Sequence, residues 1–196
     1  MYDWFGANVW LFHLINGVHA GWWDACMLGM TWLGDHAHYP FYLALVFVLA
    51  YIRPRTLAVR NVLALAIGYA LTALLIPLLK PFLDFPRPLL ALGSEAVIVV
   101  GAPELHHSFP SGHATFAVLV AAALSPGASR PLRWALWIVA GLVCLSRISV
   151  GAHFPADVGG GAVIGAAAAI VATGVVRVLG DRGQRSSRVG FVRPLA

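Results

Sequence analysis

The amino-acid sequence predicts an all-α protein, a polytopic transmembrane helical bundle of five to six spans with short interfacial helices. Of its 196 residues, 60% are hydrophobic and only 11% are charged, whereas a soluble domain carries about a quarter charged residues. The mean hydropathy is +0.80. The apolar residues come in continuous blocks, which favours spanning helices over the alternating pattern of a membrane β-barrel.

Four apolar segments are long and continuous enough to predict spanning helices, and a fifth is shorter. The four cover residues 39–52, 61–79, 133–147 and 156–179, and the fifth covers about residues 111–125. A helix needs about 20 residues to cross the hydrocarbon core of a bilayer. Several of these spans are therefore expected to be short.

The N-terminal part of the chain allows two interpretations. Residues 4–18 and 22–34 are apolar and rich in Trp, but polar side chains such as Asn8 and Asn16 interrupt them. Because Trp favours the headgroup level of a bilayer, each segment either crosses the membrane or lies in its interface. A sixth span is expected only if residues 4–18 cross.

The basic residues predict an orientation. Ten of the thirteen fall in connections that share one side of the membrane: Arg53, Arg55, Arg60, Arg130, Arg133, Arg177, Arg182, Arg185, Arg188 and Arg193. The positive-inside rule makes that side cytoplasmic, and this placement explains the net charge of +5 without a nucleic-acid partner. We expect one domain over residues 1–181 and a basic, mobile, cytoplasmic tail over residues 182–196.

The remaining three cations, Lys80, Arg87 and Arg147, fall in connections on the opposite face. A single outward cation is commonly a snorkelling anchor, but three that converge suggest a bound anion. Lys80 and Arg87 lie seven residues apart in KPFLDFPRP. Because proline fixes φ and removes a backbone donor, the three prolines of this segment predict a stiff, non-helical strut that holds both cations.

The same outward loop ends in HHSFPSGHATF. Ser111 is a suitable N-cap for the following span, which places Gly112 and His113 in its first turn. The free N–H groups and the helix dipole favour an anion there, and Gly112 has no side chain to block it. A helix cap with an interfacial histidine would give the same pattern, so this segment alone assigns no site. His106 and His107 are interpreted as loop residues.

The third segment is SRISVGAHFPAD, residues 146–157. Pro155 suits the first turn of the last span, and Asp157 follows His153 by four residues. A carboxylate at the third helical position can reach back as in a capping box and accept a hydrogen bond from His153 Nδ1–H. Nε2 would then be bare, as in a base oriented by an acid. Asp157 is otherwise a plain acid at a helix start, and Arg147 ends the preceding span beside the same pocket.

These groups together predict phosphoryl transfer. Cations, a helix N-terminus, two histidines and one carboxylate supply charge neutralisation, backbone donors, a nucleophile and an acid. The sequence shows no Asp/Glu cluster and no Cys/His set of metal-ligand spacing. We therefore expect no metal and no other cofactor, with the three cations in the place of the metal.

The three segments resemble the motifs of the type 2 phosphatidic acid phosphatase (PAP2) family, which are K-x6-R-P, P-S-G-H and S-R-x5-H-x3-D. All three match without departure and cover residues 80–157. The resemblance implies a metal-independent lipid phosphatase in which His153 forms a phosphohistidine, Asp157 orients it, and His113 is the general acid and then the base. The phosphoryl contacts that it implies are Lys80, Arg87, Arg147, Ser111 and the backbone N–H of Gly112.

The expected substrate is a lipid phosphate or diphosphate of the bilayer, with a preference for polyprenyl diphosphate such as the undecaprenyl carrier. Phosphatidylglycerophosphate, phosphatidate and a lipid A phosphate are alternatives, as is transfer of the phosphoryl group to another lipid. Vanadate-dependent haloperoxidases share the motifs but are soluble. A carrier of phosphate or another anion would need the cations but not the histidines. The expected location is a bacterial inner membrane, with the site facing the periplasm.

Overall fold

The computed structural model describes residues 3–52 and 58–189, with side chains described as far as residue 181. These residues form eight α-helices and one 3₁₀ helix, with no β-strand, so the prediction of an all-α fold is confirmed for this part of the chain. The helices are α1 (Ala7–Asn16), α2 (Gly21–Leu33), the 3₁₀ helix (His36–His38), α3 (Tyr39–Ile52), α4 (Val59–Leu83), α5 (Pro88–Leu92), α6 (Gly112–Leu124), α7 (Arg130–Ser149) and α8 (Pro155–Val189).

Three segments are long and apolar enough to cross a membrane. They are Val59–Leu92, Arg130–Ser149 and Pro155–Asp181, and two shorter apolar helices cover His36–Ile52 and Gly112–Leu124. No more than 33% of the most apolar window of any long segment is buried within the protein. Apolar surface on this scale indicates contact with lipid, so the chain is an integral membrane protein. The count of five to six spans stays a prediction.

The first two helices are shorter than a membrane span. α1 has 10 residues and α2 has 13, which correspond to about 15 Å and 20 Å at ~1.5 Å per residue. A hydrocarbon core is about 30 Å thick. The length of α1 therefore favours the interfacial alternative for residues 4–18, and the exposed ring of Trp10 agrees with that position.

The core is built around α6, which lies against α8, α7 and α4. Two glycines of α8 allow its close approach to α6. A Cβ atom on Gly165 would lie 2.2 Å from the Thr115 carbonyl oxygen, and one on Gly161 would lie 2.4 Å from the Ser111 carbonyl oxygen. Small residues four apart let membrane helices pack backbone to backbone. This packing places the first turn of α8 beside the first turn of α6.

The end of α4 differs from the sequence prediction. The non-helical strut is wrong for Lys80 to Leu83, because α4 continues through Pro77 and Pro81 and ends at Leu83. Prolines are tolerated in membrane helices where neighbouring groups satisfy the freed carbonyls. The chain leaves the helix at Asp84, which has a φ of +35°, and residues 84–87 are non-helical.

The two ends of the bundle are distinct. Asn61 Nδ2 donates to the Pro126 carbonyl oxygen at 2.6 Å, which joins the start of α4 to the end of α6. The end of α4 and the start of α6 consequently meet at the other end. α8 remains helical to Val189, into the predicted tail, while residues 190–196 and 53–57 lie outside the described residues. The boundary between domain and tail stays a prediction.

Candidate active site

Seven segments meet at the end of the bundle where α6 begins, and they line a cavity of about 530 Å³. They are the 3₁₀ helix, the end of α4, the approach to α5, the loop after α5, the start of α6, the end of α7 and the turn before α8. Six residues singled out from the sequence line it together: Lys80, Arg87, Gly112, His113, Arg147 and His153. Residues that are up to 73 positions apart in the chain therefore face one space.

Arg87 is the most firmly held of the cations. Its side chain is buried, its Nε donates to the His106 carbonyl oxygen at 2.9 Å, and its Nη1 donates to the Ala152 carbonyl oxygen at 3.1 Å. Nη2 forms an ion pair with Glu104. These contacts leave the guanidinium little rotational freedom at the wall of the cavity.

Arg147 lies in the last turn of α7 and has fewer hydrogen-bond partners than Arg87 within the described part of the chain. It is only 5% exposed, and its Nε has no hydrogen-bond partner among the described residues. A buried N–H without an acceptor is costly unless a polar group joins it. Arg147 therefore offers a positive charge and an available donor at the wall of the cavity.

His153 lies in the turn between α7 and α8 and is 1% exposed. Its Nε2 is 3.4 Å from Arg87 Nη1. Arginine can only donate, so this contact assigns the lone pair to Nε2 and the proton to Nδ1. Burial, followed by the charges of Arg87, Arg147 and Lys80, holds the pKa of His153 well below its ordinary value. The imidazole is consequently neutral, with its bare nitrogen directed into the cavity.

Asp157 lies behind His153 and reaches it mainly through a serine. Its Oδ2 accepts from Ser108 Oγ at 2.6 Å and from the Phe154 backbone N–H at 2.8 Å. The second contact is a capping-box interaction at the start of α8, made with Phe154 instead of the predicted partner His153. The separation between His153 Nδ1 and Asp157 Oδ2 is 3.6 Å, too long for the predicted direct hydrogen bond. Ser108 Oγ lies 3.4 Å from the same Nδ1 and bridges the pair.

The start of α6 confirms the predicted cap. Ser111 is the N-cap residue, and its Oγ accepts from the Ala114 N–H at 3.5 Å. Its own N–H donates to the Asp157 carbonyl oxygen at 3.0 Å, and its side chain is fully buried. Ser111 and Asp157 do not line the cavity, whereas Gly112 and His113 do. Ser111 thus shapes the helix start, and the expectation that it contacts phosphate stays a prediction.

His113 lines the cavity from the first turn of α6, whereas His153 lines it from the turn before α8. The ring of His36 meets its ring edge to face, with centroids 6.4 Å apart and planes at 86°. A second cavity of about 230 Å³ adjoins the first. His113, Arg147 and Glu104 line both cavities, and Asp35 lines the second. His113 is therefore part of the wall of both cavities.

Sequence reasoning missed four residues of this site. Ser108 follows His107 in a loop that gave no sign of a polar contact, and Glu104 is an isolated acid. Asp35 and His36 lie 44 or more residues before the first motif. The only signal was the position of Glu104 in the outward loop that also carries two cations. Within the residues that the structure describes, no three His, Cys, Asp or Glu side chains lie close enough to hold a metal ion.

Helix α1 braces the site through two buried asparagines. Asn8 Oδ1 accepts from the Ala156 N–H at 3.0 Å, in the first turn of α8. Asn16 Nδ2 donates to the carbonyl oxygens of Ile98 at 2.7 Å and Ser149 at 2.9 Å. Both asparagines are buried. The polar side chains that interrupt the first apolar segment are therefore contacts to the ends of α7 and α8.

Comparison with known proteins agrees with this geometry. The family model described as the PAP2 superfamily matches residues 61–181, and none of the curated proteins matches the chain. LpxE of Aquifex aeolicus is 30% identical, with a TM-score of 0.78 over 88% of this chain and 98% of its own. The PAP2 type phosphatidylglycerolphosphate phosphatase of Bacillus subtilis has the same fold, at 21% identity and a TM-score of 0.68 over 89% of this chain and 87% of its own. The match covers more than half of the sequence, so the chain belongs to the PAP2 superfamily and is a PAP2-type membrane phosphatase.

Proposed function

We propose that the protein hydrolyses a phosphate or diphosphate ester of a membrane lipid through a phosphohistidine on His153. One observation supports this above the others. The buried, neutral imidazole of His153 presents its bare Nε2 to a cavity that three cations line, at 3.4 Å from Arg87 Nη1. A nucleophile beside preorganised positive charge is what attack on a phosphoryl group requires.

The residues support a two-step reaction. In the first step, His153 Nε2 bonds to phosphorus, the bond from phosphorus to the lipid oxygen breaks, and His113 gives that oxygen a proton. In the second step, His113 takes a proton from water, the water oxygen bonds to phosphorus, and the bond between nitrogen and phosphorus breaks. Lys80, Arg87 and Arg147 neutralise the phosphoryl oxygens in both steps.

The lower wall of the larger cavity suits a lipid. Tyr69, Ala73, Ile76 and Pro77 line it along one face of α4, below Lys80. α6 has 13 residues, or about 20 Å at ~1.5 Å per residue, against a hydrocarbon core of about 30 Å. Its first turn therefore lies at or below the headgroup level, where a lipid phosphate can enter while its chains remain in the bilayer.

The preferred lipid is a finer proposal. Polyprenyl diphosphate, the preference drawn from the sequence, is compatible with a site that binds phosphoryl oxygens through cations. Phosphatidylglycerophosphate is the substrate named for the Bacillus subtilis enzyme of the same fold, and phosphatidate and a lipid A phosphate are further candidates. Transfer to a second lipid would use the same phosphohistidine with an alcohol in the place of water.

Release of phosphate from a panel of these lipids, measured with EDTA present, tests the activity and the expected independence from metals together. His153→Gln is expected to lose turnover while it retains binding of vanadate or inorganic phosphate, because the three cations remain. A carrier without catalytic activity would keep most of its transport in this variant. Transport that survives in His153→Gln, without phosphate release by the unaltered protein, would contradict the proposal.

We propose a bacterial inner membrane with the cavity at the periplasmic face and the C-terminus in the cytoplasm. Support comes from the ten basic residues assigned to the opposite side. Single cysteines at Ser94 and Asp181, in a background of Cys26→Ser and Cys144→Ala, test the orientation. An impermeant thiol reagent added outside intact spheroplasts is expected to label position 94 and not position 181. The reverse pattern would place the site in the cytoplasm.

A further inference from the structure

Two residues from outside the family match lie near His113, the proposed general acid. The match begins at residue 61, yet Asp35 and His36 come from the turn that joins α2 to α3. The 3₁₀ helix that they begin is in contact with α6. The reaction drawn from the motifs assigns nothing to either residue.

The geometry around Asp35 is well defined. Asp35 is the N-cap of the 3₁₀ helix, and its Oδ1 accepts from the Ala37 N–H at 2.9 Å. Its carboxylate lies 3.5 Å from His36 Nδ1, and the ring of His36 packs against that of His113. Asp35 and His113 also line the 230 Å³ cavity together. The carboxylate is thus fixed by its own backbone and placed beside the predicted general acid.

A general acid in this position needs a negative neighbour. The charged and titratable groups that line the two cavities with His113 are Asp35, His36, Lys80, Arg87, Glu104, Arg147 and His153. Three of these are permanent cations, and they repel the proton that His113 must carry when the lipid oxygen departs. Glu104 is already engaged by Arg87. Asp35 is the remaining carboxylate of this set.

Asp35 is charged under the conditions in which the enzyme would act. The hydrogen bond from the Ala37 N–H lowers the pKa of Asp35, and this effect is larger than the increase caused by partial burial. The neighbouring histidines His113, His36 and His38 lower the pKa further. Asp35 lies outside the apolar helices, in the turn before α3. Its negative charge therefore faces His113 throughout the neutral range.

We propose that Asp35 is a positioning residue whose negative charge favours the protonated form of His113 for departure of the lipid alcohol, with His36, which contacts both residues, supporting the ring. This inference rests on the proposed function. Asp35 touches no reacting atom: in the first step the proton moves from His113 to the lipid oxygen as the bond from that oxygen to phosphorus breaks. In the second step His113 recovers a proton from water, so Asp35 remains a carboxylate throughout.

The Asp35→Asn variant separates this role from a structural one. Asparagine is as good an N-cap as aspartate, so the contact with Ala37 survives and only the charge is lost. For a lipid alcohol, which leaves poorly unless protonated, we expect the rate of phosphohistidine formation to fall about tenfold, part of the ~10²–10⁴-fold that a general acid contributes. For p-nitrophenyl phosphate, whose leaving group needs no proton, the burst of p-nitrophenol is expected to change less than about twofold.

The pH profile supplies a second readout. Loss of the carboxylate is expected to move the basic limb of kcat for a lipid phosphate to lower pH, because His113 loses its proton more readily. Asp35→Glu, which restores the charge, is expected to recover part of the rate. Glu95→Gln is the matched control, since Glu95 is an exposed acid that lines neither cavity.

An equal loss with both substrates, or an unchanged basic limb, would overturn the role of Asp35. Failure of the proposed function would look different. In that case the unaltered protein would form no phosphohistidine with either substrate, and His153→Gln would behave like the parent. The result for Asp35 is therefore interpreted only against a His153-dependent burst in the parent enzyme.

Discussion

The two sides of the cavity are built in different ways. On the nucleophile side, His153 and Asp157 are at most 1% exposed, and Ser108 joins them by contacts of 2.6 Å to the carboxylate and 3.4 Å to the ring. On the acid side, the ring of His113 packs against that of His36, and Glu104 lines the same cavities. The side chains of His36 and Glu104 are 68% and 53% exposed. The nucleophile is thus set before substrate arrives, whereas the environment of the acid depends on solvent and ligand.

This difference follows from how each side is assembled. The nucleophile and its carboxylate are four residues apart at the start of one helix. A local capping contact with Phe154 orients Asp157, and Ser108 links the carboxylate to His153. The acid side combines residues from the turn before α3, the loop after α5 and the first turn of α6. Preorganised groups contribute most to catalysis when they need no rearrangement. The nucleophile side should therefore be the more sensitive to single substitutions.

Asp157→Asn is the strongest test of that difference. The amide oxygen can take the place of Oδ2 and accept from both Ser108 and Phe154, but the variant loses the negative charge behind His153. We expect formation of phosphohistidine, measured in a single turnover, to fall by at least about a hundredfold, in line with loss of an orienting acid. Ser108→Ala, which removes the bridge and keeps the carboxylate, is expected to lose about tenfold. A smaller effect of Asp157→Asn than of Asp35→Asn would reverse the proposed difference between the sides.

Gly161 connects the two sides, because it lets α8 approach α6. A Cβ atom on Gly161 would lie 2.4 Å from the Ser111 carbonyl oxygen and 3.1 Å from Thr115 Oγ1. Gly161→Val is expected to cost about 1–3 kcal/mol of unfolding free energy through overpacking and to separate His113 from His153. Thermal unfolding in detergent and phosphatase activity should both decline.

The matched control is Gly159→Ala, since a Cβ atom on Gly159 would meet nothing within 4 Å. This variant should unfold at about the temperature of the parent, or slightly higher because alanine favours the helix. Equal stability of Gly161→Val and Gly159→Ala would mean that the two helices are not held at the separation seen here.

Much of the nucleophile side was accessible from the sequence, because helix caps are local. Pro155 at the start of α8, Ser111 as an N-cap and Asp157 in a capping box each follow from residues within four positions. The prediction of a direct hydrogen bond from His153 to Asp157 was wrong. A serine 45 residues before His153 occupies that position, and no local pattern reveals such a contact.

The acid side could not be derived in this way. The neighbours of His113 are brought to it by tertiary packing over tens of residues, as with His36, 77 positions earlier in the chain. The prediction for the end of α4 was wrong for a related reason. Its prolines were weighed as local helix breakers, whereas membrane surroundings keep a helix intact past them.

The pH dependence distinguishes the sides further. Burial first, and Arg87 second, hold the pKa of His153 below its ordinary value, so the nucleophile stays unprotonated down to acid pH. The acid limb of kcat/KM should therefore lie below the ~6.5 of an unperturbed histidine. Arg87→Gln removes one positive charge, which raises the pKa of His153 and should move that limb to higher pH. An acid limb that shifts to lower pH in this variant would contradict the assignment of His153 as the group that titrates.

The smallest expected effect concerns the contact between α1 and the start of α8, next to the nucleophile side. Asn8 in α1 accepts a hydrogen bond from Ala156 in the first turn of α8, and Asn8→Ala leaves that buried N–H without this acceptor. The loss is expected to be about 1 kcal/mol of unfolding free energy, typical of a helix cap, with a decline in kcat of no more than a few fold. Thermal unfolding and phosphate release measure the two quantities, and Cys26→Ser, at an exposed position of α2, serves as the control. A loss of kcat as large as that of Asp157→Asn would place α1 within the catalytic arrangement itself, because loss of a cap alone cannot produce it.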